Sequence, residues 1–207
     1  MRSLAFKTGI TVVAVVCLCA LLLVTSARSS RIPNHTVARQ AWEKIVETNP
    51  RIFNEPVRII GLHMGGKEVK FAEKFTGDDN WLKGAKFRLK NITGKKIVFI
   101  ELDVNFPETR ATGAEMSYRI NLGQIPNLNH PATPLSVSSG EELEADINEK
   151  RYAALTKLIQ ERHSLSDITK AHIQVGFVVF DDATAWSAGV FYRQDPYNPK
   201  RWVPING

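Results

Sequence analysis

The chain has 207 residues, of which 43% are hydrophobic, and its 27 Lys and Arg residues outnumber its 21 Asp and Glu residues for a formal net charge of +6. Three of the basic residues (Arg2, Lys7 and Arg28) precede residue 31 and every acidic residue follows it, so the remainder carries only +3. Both signs are interspersed there without a basic stripe, which excludes a nucleic-acid-binding protein.

Residues 1–28 predict a signal-anchor or a signal segment. Arg2 and Lys7 precede an apolar run from Gly9 to Val24, and this order is typical of exported proteins. The run is slightly longer than a signal-peptide core and slightly shorter than a comfortable membrane span. Two outcomes stay open. The segment is either a single-pass membrane anchor with the domain outside the cytoplasm, or it is cleaved before Arg28 to release a secreted or periplasmic protein.

Residues 29–50 predict a juxtamembrane spacer that contains a short helix. Within Thr36–Thr48, Val37, Trp42 and Ile45 follow at roughly helical spacing, and Asn49-Pro50 ends the pattern. Both cysteines, Cys17 and Cys19, lie in the apolar run, so we expect no disulfide framework in the exported part. The folded domain is predicted over residues 51–207 and must be stabilised by burial alone.

From Val57 onward the apolar residues recur with a period of two, which predicts about eight or nine strands. The clearest strand is Lys96–Phe106, with Glu101 and Asp103 on its outer face. Asn148 is a suitable N-cap for one helix over Glu149–His163. The predicted fold is mainly β, an immunoglobulin-like β-sandwich with one inserted helix. We expect its core to comprise Phe87, Leu89, Val98, Ile100, Leu102, Val104, Phe106, Ile173, Val175, Phe177, Val179, Trp186 and Val190.

The stretch from Asn91 to Phe106, the step Ser139-Gly140-Glu141 and the closing motif from Phe180 to Gly189 carry a family resemblance. Residues from about 85 to 192 resemble the immunoglobulin-like β-sandwich of small exported bacterial proteins. The longer span from Trp81 to Trp202 resembles uncharacterised exported or membrane-anchored bacterial proteins. This resemblance implies a fold and a location, and it implies no activity. Ala183 occupies a turn position in which glycine would adopt the required backbone conformation at lower cost.

The sequence contains no complete catalytic motif, so no catalytic, cofactor-binding or metal-binding residue is predicted. Gly61–Lys67 fits a phosphate loop, but Glu68 follows where Ser or Thr is needed, and a Gly-Gly turn is the better interpretation. Ser166, Asp167 and His163 are neighbours at a helix end, which favours a structural role over a triad. The histidines lack zinc spacing.

The remaining candidate binding residues are aromatic. Trp81, Tyr197 and Trp202 predict a ligand or partner surface, with core packing as the competing interpretation. The favoured function is an envelope-anchored or exported, non-enzymatic interaction module for a protein or an envelope polymer. The alternative is an envelope hydrolase or carbohydrate-binding module that uses Glu101 and Asp103 or the aromatic set. A pocket enclosing both carboxylates would favour the hydrolase, whereas an open surface would favour a binding module.

Overall fold

The computed structural model describes residues 42–49, 52–126 and 134–205. The predicted anchor or signal segment and its spacer up to residue 41 lie outside these residues. Within the described part of the chain, every helix is too short or too polar to span a membrane.

The described residues are mainly β, with twelve strands and one α-helix, α1, over Glu149–Gln160. Short 3-10 turns follow β6 (Pro107–Thr112) and precede β9 (Leu165–Asp167). The strands are β1 Trp42–Thr48, β2 Val57–Met64, β3 Lys67–Glu68, β4 Lys74–Gly77, β5 Lys86–Asn91, β6 Ile97–Phe106, β7 Met116–Gly123, β8 Glu142–Asp146, β9 Lys170–Phe180, β10 Thr184–Ser187, β11 Val190–Gln194 and β12 Trp202–Pro204.

The strands form two sheets, one of eight strands and one of four. The smaller sheet has the order β3-β2-β5-β8 and is antiparallel throughout. In the larger sheet, β9 pairs with β6 along one edge. The other edge of β9 pairs with two strands. It pairs in parallel with β1 through Lys170–Ile173, and with β10 through Val178 and Val179. Beyond these, β7 pairs with β6, β4 with β1, and β11 and β12 follow β10.

Buried side chains from both sheets join one apolar cluster. Leu62, Phe87 and Leu89 come from the four-stranded sheet, and Leu102 and Trp186 from the eight-stranded sheet, all fully buried. Helix α1 adds Leu155 and Ile159. Asn148 caps α1 as predicted, since its side chain accepts a hydrogen bond from Arg151 N at 3.1 Å. The two sheets therefore share a core.

The helix predicted within Thr36–Thr48 is wrong for its described part, because Trp42–Thr48 is strand β1. The helical spacing depended on Trp42 and Ile45, whereas the buried residues are Lys44 and Val46, which alternate with a period of two. Pairing with β4 on one side and β9 on the other satisfies the backbone of β1 and overrides the local pattern. The sheet thus includes residues before the predicted boundary at residue 51.

Most of the predicted core is buried, but Val98 and Phe177 are half-buried and Val190 is 41% exposed. The β6–β9 pairing shifts between Ile97 and Phe99 and again between Glu101 and Leu102. A bulge moves the following side chain to the other face of its sheet. Phe177 therefore faces outward with Phe99. The alternation of buried and outward side chains along β9 is interrupted after Val175.

The turns agree with the local chemistry of the sequence. Gly65 and Gly66, both with positive φ, connect β2 to β3, which confirms the Gly-Gly turn over the phosphate loop. Ala183 adopts φ 59° in the β9–β10 turn, a conformation that costs an alanine more than a glycine.

Candidate binding face

The outer face of the eight-stranded sheet carries a polar stripe that begins on β6. Glu101 and Asp103 alternate there with the buried Leu102 and Val104, so both carboxylates point away from the core. Arg119 of β7 approaches them, with its Nε 3.7 Å from Glu101 Oε1 and 3.5 Å from Asp103 Oδ1. We call this group, with Gln174 and Gly176 of β9, the carboxylate stripe.

A bulge in β9 shapes the carboxylate stripe. Glu101 lies opposite Phe177 and Leu102 opposite Val175, so Gly176 is the extra residue between them. A Cβ atom at Gly176 would lie 2.5 Å from Asp103 Oδ2 and 3.3 Å from Glu101 Oε1. The absence of a side chain therefore lets both carboxylates lie over one point of the β9 backbone.

Only one of the two Asp103 carboxylate oxygens accepts a hydrogen bond from the described residues. Its Oδ2 accepts a hydrogen bond from Gln174 Nε2 at 3.3 Å, and the Gln174 amide oxygen accepts one from the Asn49 side chain. Its Oδ1 is buried and accepts no hydrogen bond within the described ranges, although it forms an ion pair with Arg119 Nε at 3.5 Å. A desolvated acceptor that lacks a donor costs stability. Such groups concentrate at functional sites, where a ligand can supply the missing donor.

The pKa of the Glu101 carboxyl group is shifted. Burial raises its pKa above the ordinary value, the Arg119 charge opposes that shift, and the Asp103 carboxylate adds to it. Its side chain is 21% exposed, whereas that of Arg119 is 68% exposed. The stripe thus presents an exposed donor, Arg119, beside two partly desolvated acceptors.

An aromatic group adjoins the carboxylates. Phe177, directly across the strand pair from Glu101, packs edge-on against Trp202 of β12 with ring centroids 5.4 Å apart. Phe99 contacts Phe177 from β6 at 6.3 Å. These rings belong to a second, smaller apolar cluster that also includes Tyr192. The face therefore combines acceptors, one guanidinium and the half-buried rings of Phe177 and Trp202.

The three aromatic residues predicted as a surface lie in different surroundings. Trp81 is 7% exposed, packs against Phe75 and donates its indole N–H to Ile168 O at 3.1 Å. Tyr197 is 96% exposed in the turn between β11 and β12. Trp202 alone reaches the outer face beside the carboxylate stripe. The partner surface stays a prediction for Tyr197 and Trp202, and the Trp81 ring is covered.

Sequence reasoning singled out Glu101 and Asp103 but missed Arg119, Gln174 and Gly176. An isolated glycine within an alternating strand signals a bulge or a close backbone approach, so Gly176 could have been found. Nothing local distinguishes Arg119 from other exposed basic residues.

The other candidate catalytic residues take part in structural contacts. His163 Nε2 lies 3.0 Å from Thr112 Oγ1, and Ser166 Oγ hydrogen-bonds to Ser164 Oγ at 2.7 Å. Ser164 and Asp167 form a capping box for the 3-10 turn. Within the described ranges, no group of three His, Cys, Asp or Glu side chains is placed to hold a metal ion.

Comparisons with family models, with curated proteins and with solved structures find no match for this chain.

Proposed function

We propose that this protein is an exported or membrane-anchored, non-enzymatic binding module that captures an envelope polymer on its outer face. The polymer is a polysaccharide rich in amino sugars. The observation that carries the proposal is the carboxylate stripe beside Phe177 and Trp202, in which one buried Asp103 oxygen accepts no hydrogen bond from the described part of the chain.

An immunoglobulin-like β-sandwich is the scaffold we propose. In one sheet, β2, β5 and β8 follow the order of strands A, B and E of that fold. In the other, β7, β6, β9 and β10 follow the order of strands C′, C, F and G. The shared apolar cluster supports face-to-face packing of the sheets. Helix α1 then lies between strands E and F.

Export or anchoring is supported by the basic start and the apolar run from Gly9 to Val24. A fusion of residues 1–40 to a reporter that is active only outside the cytoplasm should be active, and an inactive cytoplasmic fusion would refute export. Carbonate extraction then separates the two forms, because an anchored protein stays with the membrane fraction and a cleaved one leaves it.

The chemistry of the face favours hydroxyl- and ammonium-bearing sugars. Carboxylates accept hydrogen bonds from both groups, and the Arg119 guanidinium donates to ring and hydroxyl oxygens. The Glu101, Asp103 and Arg119 group carries a net negative charge when its carboxylates are ionised, which favours cationic amino sugars over uronic acids. Half-buried rings such as Trp202 supply an apolar surface with a polar edge.

The test measures affinity of the full-length protein for soluble oligomers of glucosamine, N-acetylglucosamine and glucuronic acid. We expect glucosamine oligomers to bind tightest, and Glu101→Gln to weaken them roughly tenfold through loss of a charged hydrogen bond. Glu144→Gln is the matched control, because Glu144 is exposed on the four-stranded sheet and pairs with Lys86 at 2.7 Å. Equal affinity for all three oligomers, or equal effects of the two variants, would contradict the proposal.

One observation favours a hydrolase as the second candidate. A carboxyl group whose pKa is raised by burial, next to a second carboxylate, is the arrangement of a general acid and its partner. Against it, the Arg119 side chain that approaches both carboxylates is 68% exposed, as on a solvated face rather than in an enclosed pocket. Release of reducing ends from the bound oligomers, lost in Glu101→Gln, would establish hydrolysis.

A further inference from the structure

One row of polar side chains crosses four strands of the eight-stranded sheet. β1 pairs in parallel with β9 as far as Ile173, so Asn49, which follows β1, lies beside Gln174. Gln174 lies opposite Asp103 of β6, and Asp103 lies opposite Arg119 of β7. The row therefore joins the end of β1 to the carboxylate stripe.

The hydrogen bonds along this row run in one direction. Asn49 Nδ2 donates to Gln174 Oε1, and Gln174 Nε2 donates to Asp103 Oδ2 at 3.3 Å. An ionised carboxylate only accepts hydrogen bonds, whereas each side-chain amide has a donor end and an acceptor end. Contact with Asp103 therefore fixes the orientation of the Gln174 amide, and the Gln174 oxygen then requires a donor from Asn49.

The row ends on one oxygen of Asp103 and leaves the other to the binding face. Oδ2 receives the hydrogen bond from Gln174, whereas Oδ1 forms the ion pair with Arg119 Nε at 3.5 Å. A carboxylate that is held through one oxygen presents the other in a defined direction, and preorganisation of this kind lowers the entropy cost of binding. The direction of Oδ1 thus depends on Asn49, two side chains away.

We propose that Asn49 is a positioning residue of the candidate binding face and acts through Gln174 to direct Asp103 Oδ1 toward the ammonium group of an amino sugar. This inference rests on the sugar-binding function proposed above and names the acceptor within it. The Arg119 side chain, 68% exposed, moves aside as the ammonium group takes its place. Because one cation replaces another, the charge of Asp103 stays compensated.

The first test compares two variants that each add a carboxylate near Asp103. In Asn49→Asp the new group cannot donate, so it captures the Gln174 amide hydrogens and turns the Gln174 oxygen toward Asp103. Asn105→Asp is the matched control, because position 105 lies about 7 Å from Asp103 along the same face of β6 and opposite His172. Asn49→Asp should weaken binding of glucosamine oligomers roughly three- to tenfold. Asn105→Asp should leave it unchanged or tighter, since added negative charge attracts ammonium groups.

The second test needs no ligand and measures the direction of the row. Asn49→Asp should lower the Tm of the full-length protein in mild detergent by roughly 2–4 °C, the effect of one lost hydrogen bond. In an Asp103→Asn background the end groups are exchanged and both hydrogen bonds can form in the reverse direction. The loss caused by Asn49→Asp should therefore fall below about 1 °C there. The loss caused by Asn105→Asp should differ less between the two backgrounds, because it is coupled to position 103 through charge repulsion alone.

The outcomes separate this inference from the function on which it rests. Glucosamine affinity in Asn49→Asp that equals or exceeds that in Asn105→Asp would overturn the positioning role, and so would equal coupling of the two substitutions to Asp103→Asn. If the unaltered protein binds none of the oligomers, the sugar-binding function fails, and with it the ligand named for Asp103. A directional thermal cycle would in that case still identify Asn49 as the residue that orients this carboxylate.

Discussion

Lys44 is the least expected residue of the core. It is 1% exposed, its Nζ donates to Ile168 O at 3.0 Å and lies 5.9 Å from the Trp81 ring, and no carboxylate of the described residues forms an ion pair with it. Burial lowers its pKa below the ordinary 10.5, and the charges of Asp79, Glu108 and Asp78 oppose the shift. Burial therefore disfavours the protonated form of Lys44 in the folded state relative to the unfolded state.

The pH dependence of unfolding should reveal this cost. The unfolded state binds more protons than the folded state between the lowered pKa and 10.5, so the free energy of unfolding rises with pH in that window. Lys44→Met should remove this contribution while Trp81 still satisfies the Ile168 carbonyl. Chemical denaturation from pH 7 to pH 10.5 measures it. A stability difference between the two proteins that stays constant with pH would contradict the prediction.

A glycine is required at position 176 because a side chain there would collide with Asp103. The backbone conformation at this position is one that other residues can adopt. Gly176→Ala would place a Cβ 2.5 Å from Asp103 Oδ2, so we expect a loss of about 1–3 kcal/mol by overpacking. Gly94→Ala is the control, because nothing lies within 4 Å of a Cβ there. In an Asp103→Ala background the Gly176→Ala cost should shrink. Additive costs in this double-mutant cycle would show that the carboxylate is not the obstacle.

At the scale of the element, β6 shows how one strand serves two purposes. Its inner side chains are buried in the core, and its outer side chains build the carboxylate stripe. Leu102 is fully buried, so Leu102→Ala should cost about 2–5 kcal/mol. Asp103→Ala should cost less than about 1 kcal/mol, since its ion pair is partly exposed. Urea denaturation compares them, and equal costs would refute the register of β6.

At the scale of the whole molecule, the C-terminal segment is part of the fold, as its apolar composition predicts. β12 pairs with β11, and Trp202 packs on Phe177. Gln194 is buried and donates to Pro126 O and Pro199 O, each at 2.9 Å. The described residues of this segment, 193–205, therefore pack against the domain.

Deleting residues 194–207 should lower the Tm by several degrees, because it uncovers Phe177 and removes a strand at a cost of about 2–4 kcal/mol. Tyr197→Ala is the control and should leave the Tm unchanged, since the ring is 96% exposed. Differential scanning calorimetry provides the measurement. An unchanged Tm after the deletion would show that the segment contributes no stability.

The sequence by itself determined the features that depend on neighbouring residues. The alternation along β6 identified its buried face and its outer carboxylates, Asn148 marked the start of α1, and Gly65-Gly66 marked a turn. These patterns are readable because burial, capping and positive φ each act within a few residues.

Only the tertiary structure decided the features that depend on residues far apart in the chain. Trp42–Thr48 is a strand because β4 and β9 satisfy its backbone, although its own pattern was helical. The bulge at Gly176 reversed the face of Phe177, and the return of β12 placed Trp202 beside it. The candidate binding face consists of such long-range pairings, and a local pattern reports the period of burial without specifying which strands meet.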